Sequence, residues 1–306
     1  MKRVLVVYYS QSGQLGDILR AMLEPLSNAA DVDLTWWELK PTPPYPFPWP
    51  LMRFLDVFPE SVLMVPPQLE PLPESPPGGF DLVVLAYQVW YLAPSLPVSA
   101  FLQSPAARIL RDRPVITVVN GRDKWVMAQE CVKAALVERG ARLIDNVAFV
   151  HGGNAVQNLV STLRWLWTGR KGAFWKVFPV AGVSEQDLRG AVRFGQAIRQ
   201  ALARDAERTG EPMLRGLGAA HVNADMLLQE RIAVRQFRVW ARWVRAAGAP
   251  GAFGRRFVLL AFAVYLVGLI LIAAPLVLVH RLLVVPLSSE RLARDKACYE
   301  APSGGE

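Results

Sequence analysis

Val4-Leu5-Val6-Val7-Tyr8-Tyr9, followed at once by Ser10-Gln11-Ser12-Gly13-Gln14-Leu15, is the most informative stretch of this chain. The first six residues are β-branched, aliphatic or aromatic and do not alternate with polar ones. Such a run reads as a strand covered on both faces, the condition of a strand inside a parallel sheet. The next residues are hydroxyls, amides and a glycine, and an apolar periodic segment follows. This is a strand, a loop and the start of a helix. Met1-Lys2-Arg3 ahead of the strand lacks the longer apolar stretch and small-residue cleavage site of a signal peptide.

Similar strand-like runs recur at Val32–Leu39, Leu82–Tyr87, Val115–Val119 and Leu143–Val150. Helical patterns at Gly16–Leu26, Leu96–Leu110 and Lys124–Arg139 separate them. Strands alternating with helices predict an α/β fold, a doubly wound five-stranded parallel sheet with helices on both faces. A further helix is predicted from Ser184, whose hydroxyl can cap the free N–H groups while Glu185 and Asp187 suit the positive helix end. That helix closes the α/β unit near Ala203, giving a domain over residues 1–204.

One connection departs from the rhythm. Residues 41–77 hold thirteen of the chain's 24 prolines, including Pro41-Thr42-Pro43-Pro44-Tyr45-Pro46-Phe47-Pro48-Trp49-Pro50. Proline fixes φ and removes a donor, so only Leu51–Val57 has room for a helical turn or two. The excursion reads either as a polyproline surface segment or as a lid, since Tyr45, Phe47 and Trp49 give it an apolar side that needs something to cover.

The C-terminal third changes character. Residues 231–256 contain seven arginines and no acid. Arg231, Arg235, Arg238, Arg242 and Arg245 fall on one helical face, with Leu228, Ile232, Val239 and Trp243 along another side. A basic amphipathic helix of this kind is expected at an anionic membrane surface, with a solvated helix as the alternative. Phe257–Val279 follows with 23 residues and no charge, long enough to cross a bilayer. Residues 205–256 are therefore expected to form a basic linker or interfacial helix, 257–287 a membrane segment and 288–306 a polar tail. A single tail anchor is the first expectation and monotopic insertion the second, and Pro275 also allows a kinked or re-entrant segment.

The candidate chemistry lies in three loops at the carboxyl ends of strands. Ser10, Gln11, Ser12, Gly13, Gln14 and Leu15 place hydroxyls and N–H groups at a helix start, an anion site. Neither GxGxxG nor GxxxxGK[ST] is present, so neither a dinucleotide fingerprint nor a P-loop is indicated. The loop carries no Lys or Arg, which suits a phosphate monoester held by neutral donors. It is similar to the phosphate loop of flavodoxins, which binds the FMN phosphate. In a flavodoxin-like fold the other two loops flank the isoalloxazine ring. Tyr87, Gln88, Val89, Trp90 and Tyr91 form one, and Asn120, Gly121, Arg122 and Trp125 lie in the other. Aromatics there can stack on a flat ring or can simply be core. Arg122 either faces the ring's anionic edge or pairs with Asp123. His151, after the fifth strand, is an acid–base candidate or a structural histidine. Tyr91 and Arg122 complete the catalytic candidates.

Longer blocks carry a further resemblance. VLVVYYSQSGQLGDIL, PFPWP, DVFPESV, AYQVWYLAPSLPVSAFLQS, PVITVVNGRDKWVMAQE, AGVSEQDL and the apolar tail resemble the flavodoxin-like proteins of dialkylresorcinol and flexirubin-type pigment biosynthesis, often labelled dialkylresorcinol condensing enzymes. The resemblance implies FMN as cofactor and a lipophilic cyclic substrate. It also implies a ketosynthase-type partner that forms the ring, leaving this protein to aromatise it. Condensation would need an activated cysteine, and neither Cys131 nor Cys298 has a histidine or a helix start beside it. An FMN-dependent dehydrogenase or aromatase is thus the expected activity. An NAD(P)H-dependent quinone or flavin reductase and a membrane-tethered electron-transfer or scaffold protein are the alternatives. The expected location is the cytoplasmic side of a bacterial inner membrane.

Composition narrows the field further. Two cysteines and three scattered histidines (His151, His221, His280) rule out a disulfide scaffold and make a metal cluster unexpected. The net charge of +8, with 52% hydrophobic residues, traces in part to the arginine run and the apolar segment. No recognition motif points to nucleic acid.

Overall fold

The computed structural model describes residues 1–150, 155–283 and 289–303, with side chains described for 1–150, 156–269 and 293–303. In chain order the elements are β1 (Lys2–Tyr8), α1 (Gln14–Ser27), β2 (Val32–Glu38), β3 (Pro41–Thr42), α2 (Leu51–Val62), β4 (Gln68–Leu69), β5 (Leu82–Trp90), β6 (Ala93–Pro94) and α3 (Leu96–Gln103). A 3-10 turn at Pro105–Leu110 precedes β7 (Pro114–Gly121), α4 (Val126–Glu138), β8 (Arg142–Val150), α5 (Ala155–Thr168) and α6 (Glu185–Leu202). The chain closes with α7 (Ala224–Ala246), α8 (Phe253–Leu283) and α9 (Ser289–Glu300).

The five long strands pair in the order β2-β1-β5-β7-β8, all parallel. This is the flavodoxin-like winding, in which the chain leaves β1 to one side for β2 and returns to the other for β5. Period-2 alternation sends successive side chains to opposite faces. Leu5, Val7, Val83, Leu85 and Val119 pack toward α3 and α4. Val4, Val6, Val84, Ile116 and Val118 pack toward α1 and α6. Burial on both faces is why Val4–Val7 and Leu82–Ala86 carry no polar residue. The helix expected from Ser184 is also present. The Ser184 hydroxyl accepts from Asp187 N at 3.1 Å, so one free donor of α6 is satisfied.

The proline excursion is more structured than its composition predicts. Pro41–Thr42 and Gln68–Leu69 pair as a short antiparallel ribbon. Between them α2 runs through Pro59 to Val62, well past Val57. Leu55, Phe58 and Val62 recur at helical spacing and bury against α7 and α8, and that burial offsets the hydrogen bond lost at Pro59.

The tail requires the largest correction. The apolar run predicts a membrane span within 257–287. Among the described residues no helix is long and apolar enough to cross a bilayer; the side chains of 270–287 lie outside them. In the described part of α8, Leu259 and Phe262 are fully buried. Phe58 stacks on Phe262 with ring centroids 4.0 Å apart. Residues after α8 also return to the α/β unit. Glu300 accepts from Val222 N at 2.8 Å, Ser303 Oγ bonds both the N–H and the carbonyl of Asn146, and Tyr299 receives a 2.5 Å bond from Arg231. A single-pass anchor would hold these residues on the far side of a bilayer from β8. The contacts of the described residues do not support that topology.

The faces of α7 are also reassigned. Leu228, Ile232, Val239 and Trp243 are exposed, whereas Leu227, Phe237, Ala241 and Val244 are buried. Arg255 does not face a membrane: it is 1% exposed and paired with Asp56 and Glu60 of α2. These acids lie four residues apart on one face of α2, a pattern visible only once α2 is recognised as a helix.

Candidate functional site

Ligands of doubly wound sheets sit outside the carboxyl ends of the strands, where the winding changes direction. Here that point lies between β1 and β5. The loop after β1 is shaped by two side-chain bonds and one glycine. Ser10 Oγ accepts from Gly16 N at 3.1 Å, and Gln11 Nε2 donates to Pro46 O at 2.8 Å. Gly13, at φ +82°, turns the chain into α1 in a conformation that side-chain-bearing residues seldom adopt, and a Cβ there would meet nothing within 4 Å.

The start of α1 is left open. Gly13 has no side chain to cap it and Ser10 Oγ takes up only the Gly16 N–H; among the described residues the N–H groups of Ser12, Gly13, Gln14 and Leu15 reach no acceptor. The first donors of any helix need a partner from outside the helix. Backbone N–H groups and the helix dipole together favour an anion at this position.

Gln14 and Asn120 lie beside that opening, and both are buried. With Gln14 oriented by its neighbours, its oxygen accepts from Val183 N at 2.8 Å and from Lys171 Nζ at 3.3 Å. Its other amide atom lies 3.3 Å from the Asn120 carboxamide. Gly182, at φ +89°, makes room for this arrangement, since a Cβ there would fall 2.0 Å from Gln14. One atom of the Asn120 carboxamide still has no hydrogen-bond partner, although the residue is only 6% exposed. A buried polar atom without a partner costs free energy, which a bound ligand would recover.

Lys171 changes the electrostatic reading. The loop itself carries no cation, yet the segment after α5 brings this lysine to the α1 entrance. Its only sequence signal is the Gly169-Arg170-Lys171-Gly172 turn, and nothing local ties that turn to residue 14.

The second loop is a hairpin. Val89 and Trp90 pair with Pro94 and Ala93 through a two-residue turn at Tyr91 and Leu92, both with positive φ (50° and 65°). Such turns prefer Asn or Gly, and bulky residues there cost roughly 1–2 kcal/mol each. Packing holds them in place. The Tyr91 hydroxyl donates to Phe54 O at 2.6 Å, and the ring lies against Phe54 and Phe58 of α2. Burial holds the Tyr91 phenol well above its ordinary pKa, so it remains protonated. The candidate is therefore a fixed donor and not a base.

Trp90 sits inside a cage of rings. Tyr9, Tyr45 and Trp49 approach it edge-on with centroids 5.8, 5.1 and 5.7 Å away. Tyr45 and Trp49 come from the proline excursion, and Phe47 meets Trp165 of α5 at 5.8 Å. Trp49 N also donates to Leu166 O at 2.7 Å. The excursion thus covers the loops, the lid arrangement of the two readings. Burial pushes the Tyr45 phenol up to about 12, with Glu60 adding to the effect.

Two predicted contacts are relocated. Tyr87 is fully buried between the sheet and α4, its hydroxyl 2.5 Å from Gln129 Oε1, and Gln129 donates on to Thr117. Strand alternation sends Tyr87 to the core face, so its side chain cannot shape a ring pocket. Trp125 is 1% exposed and likewise belongs to that core. Gln88 stays with the site, its Oε1 3.4 Å from Gln11 N. Val89 packs against Gly121, where a Cβ would fall 3.0 Å from the valine. Burial lowers the Arg122 pKa and Asp123 opposes it. His151 lies outside the described residues.

One buried acid escapes a reading of the sequence. Glu230 reaches from α7 to the start of α4, where it accepts from Met127 N at 2.8 Å. It is 1% exposed, and burial raises its pKa to about 7 against the opposing effects of the Met127 N–H and Lys124. In sequence it is an acid at the head of an arginine run and looks solvent-facing. No metal-binding group of His, Cys, Asp or Glu occurs among the described residues.

No family model matches this chain, and no curated protein matches it. Among solved structures it is similar to a flavoprotein in complex with FMN from Lactobacillus acidophilus NCFM, at 18% identity over 48% of this chain and 93% of that one, with a TM-score of 0.37. It is also similar to a flavodoxin from the domain Archaea (12% identity, 66% and 99% covered, TM-score 0.34). A WrbA-like flavodoxin from Agrobacterium tumefaciens stands at 13% identity, 65% and 99% covered, and a TM-score of 0.34. The strand order alone carries the fold assignment.

Proposed function

We propose that this chain is a flavin-dependent oxidoreductase that holds FMN at the carboxyl edge of its sheet and acts on a lipophilic ring substrate. The supporting observation is the uncapped start of α1, whose N–H groups reach no acceptor at the switch point of a flavodoxin-like sheet. Ser10, Gln11, Ser12, Gly13, Gln14 and Leu15 would hold the phosphate, with Lys171 adding the positive charge that the loop lacks. Gln88, Val89, Trp90, Tyr91, Asn120, Gly121 and Arg122 would surround the ring, and the partnerless Asn120 atom would face its polar edge. Bound FMN would supply a two-electron acceptor. The chain's own part is to orient the ring substrate under the proline lid and exclude water with the Trp90 cage.

The resemblance of the sequence blocks to dialkylresorcinol proteins points the activity toward aromatisation of a cyclic diketone or cyclohexenone delivered by a ketosynthase-type partner. We place the protein at the cytoplasmic face of a bacterial inner membrane, lying on the bilayer in plane. Phe253, Phe257, Leu260, Val264 and Val267 of α8 are exposed at spacings of one helical face, and such a stripe favours a lipid interface.

The test is to purify the full chain in mild detergent, add FMN and record the visible spectrum. Anaerobic addition of the cyclic precursor should then bleach the bound flavin. Absence of bound flavin contradicts the whole reading. Bleaching by NAD(P)H but not by the precursor replaces the aromatase with a quinone or flavin reductase.

A further inference from the structure

A cavity lies away from the residues proposed to hold the flavin. About 710 Å³ in volume, it opens between α3, α4 and α7, with the end of α2 as its fourth side. That volume falls in the range of small-molecule sites, roughly 300–1,000 Å³. Leu102, Met127, Cys131 and Val234 give it an apolar interior. Arg231, Arg235 and Arg238 line the α7 side one helical turn apart, so the face expected to meet a membrane borders a cavity instead.

The charges on its rim are unequally matched. Arg231 is engaged with Asp295 at 3.6 Å and with Tyr299. Glu130, on the opposite rim, pairs with Lys133 at 3.0 Å. Arg235 and Arg238 form no ion pair among the described residues, and Glu138 is the remaining rim acid. Two guanidinium groups without a carboxylate, above an apolar pocket, complement a ligand with one anionic end and one hydrocarbon end. Guanidinium binds carboxylate bidentately, and the hydrocarbon gains by leaving water.

We propose that this groove binds a single-chain aliphatic carboxylate, its acid on Arg235 and Arg238 and its chain along Leu102, Met127 and Val234. The groove meets the hairpin of the second loop only at Pro94 and includes none of the residues proposed to hold the flavin, so the proposal stands or falls independently of them. A monomeric acid is favoured over a bilayer lipid because the arginines border a concave groove walled by α3, α4, α7 and the end of α2, which a single chain can enter and a flat bilayer surface cannot.

The test uses the full chain carrying Cys298→Ser, which leaves Cys131 in the groove as the sole thiol. Laurate binding is followed by equilibrium dialysis below its micelle concentration. Its position is read from the rate at which maleimide modifies Cys131. Laurate should bind at one per chain and slow the modification. Dodecyltrimethylammonium, with the same chain and the opposite charge, should do neither. Arg235→Gln with Arg238→Gln should weaken laurate binding by at least about tenfold, as expected for the loss of charge-assisted hydrogen bonds. Ala134→Trp, on the groove-lining side of α4, should block it sterically with the charges intact. The proposal is overturned if laurate does not bind, or if it binds without protecting Cys131. It is overturned equally if both amphiphiles bind alike, as they would on the apolar stripe of α8, or if affinity survives the arginine changes.

Discussion

The start of α1 and the corner where α2 meets α7 and α8 treat polar groups in opposite ways. At the corner, Arg255 is 1% exposed, and its guanidinium is taken up by Asp56, Glu60 and the Asp56 carbonyl. At α1, the N–H groups of Ser12 to Leu15 have no acceptor among the described residues, beside a buried carboxamide with an unmatched atom. The helices themselves show the same contrast. Ser184 caps α6 and Asn223 caps α7, whereas α1, like α2, α3 and α4, has no side-chain cap from its N-cap residue, and among these it is α1 that starts at the switch point. Polar groups matched within the chain hold the architecture, and those left open at a switch point await a ligand. Substitutions on either side can break this contrast.

The largest expected effect is on the matched side. Arg255→Ala removes the main partner of Asp56 and Glu60, leaving Glu60 with Arg245 at 3.8 Å and Asp56 with Gly251 N, and because those acids are 13% and 17% exposed the loss should fall near the lower end for a buried pair, about 3 kcal/mol. Urea unfolding measures it, and FMN affinity of the folded variant should be unchanged. A parallel loss of FMN affinity would mean that the two regions are not separate.

Glu230 stands between the extremes, with one oxygen on Met127 N and the other without a partner. Its folded pKa of about 7 lies above the ordinary 4.5, so the unfolded chain releases this proton first as pH rises. The stability associated with the protonated group is complete below about pH 4.5 and is lost as pH climbs through about 7. Glu230→Gln should remove that slope and leave the variant more stable than the parent at pH 8, by about 2–3 kcal/mol. Denaturation at pH 5 and pH 8 checks it; parallel losses in both proteins would contradict the assignment.

The smallest effect tests the caps. Ser184→Ala removes the acceptor for Asp187 N and should cost about 1 kcal/mol in a thermal or urea melt. Gly13→Ser offers α1 a side chain that could cap it, but in a backbone conformation serine seldom adopts. It should weaken FMN binding more than it changes stability.

The sheet is legible in the sequence because each strand's own residues report double burial. Val4–Val7 and Val115–Val119 need no knowledge of their partners, and hydroxyls after the first strand locate the site loop. What the sequence conceals depends on contacts distant along the chain. Arg255 looks like a membrane-flanking cation until α2, interrupted by Pro59, is seen to supply two acids. Lys171 reaches Gln14 from the connection between α5 and α6, where nothing local signals the contact. Tyr87 and Trp125 resemble ligand contacts because aromatics at strand ends suit both a ring and a core, and only the facing helix decides. The apolar run at 257–279 has the length of a span, yet Phe262 is buried by Phe58. The bond from Arg231 to Tyr299 likewise keeps residues 293–303 beside the rest of the chain.

The central claim is that the open start of α1 holds the phosphate of FMN. Fluorescence titration of the full chain with FMN and with riboflavin, which differ only in that phosphate, tests it most directly. FMN should bind at least about tenfold more tightly than riboflavin, the worth of a few hydrogen bonds to a charged group, and Ser12→Asp should erase the difference by repelling the anion. Equal affinity for the two flavins, or a preference for FMN that survives Ser12→Asp, would contradict it.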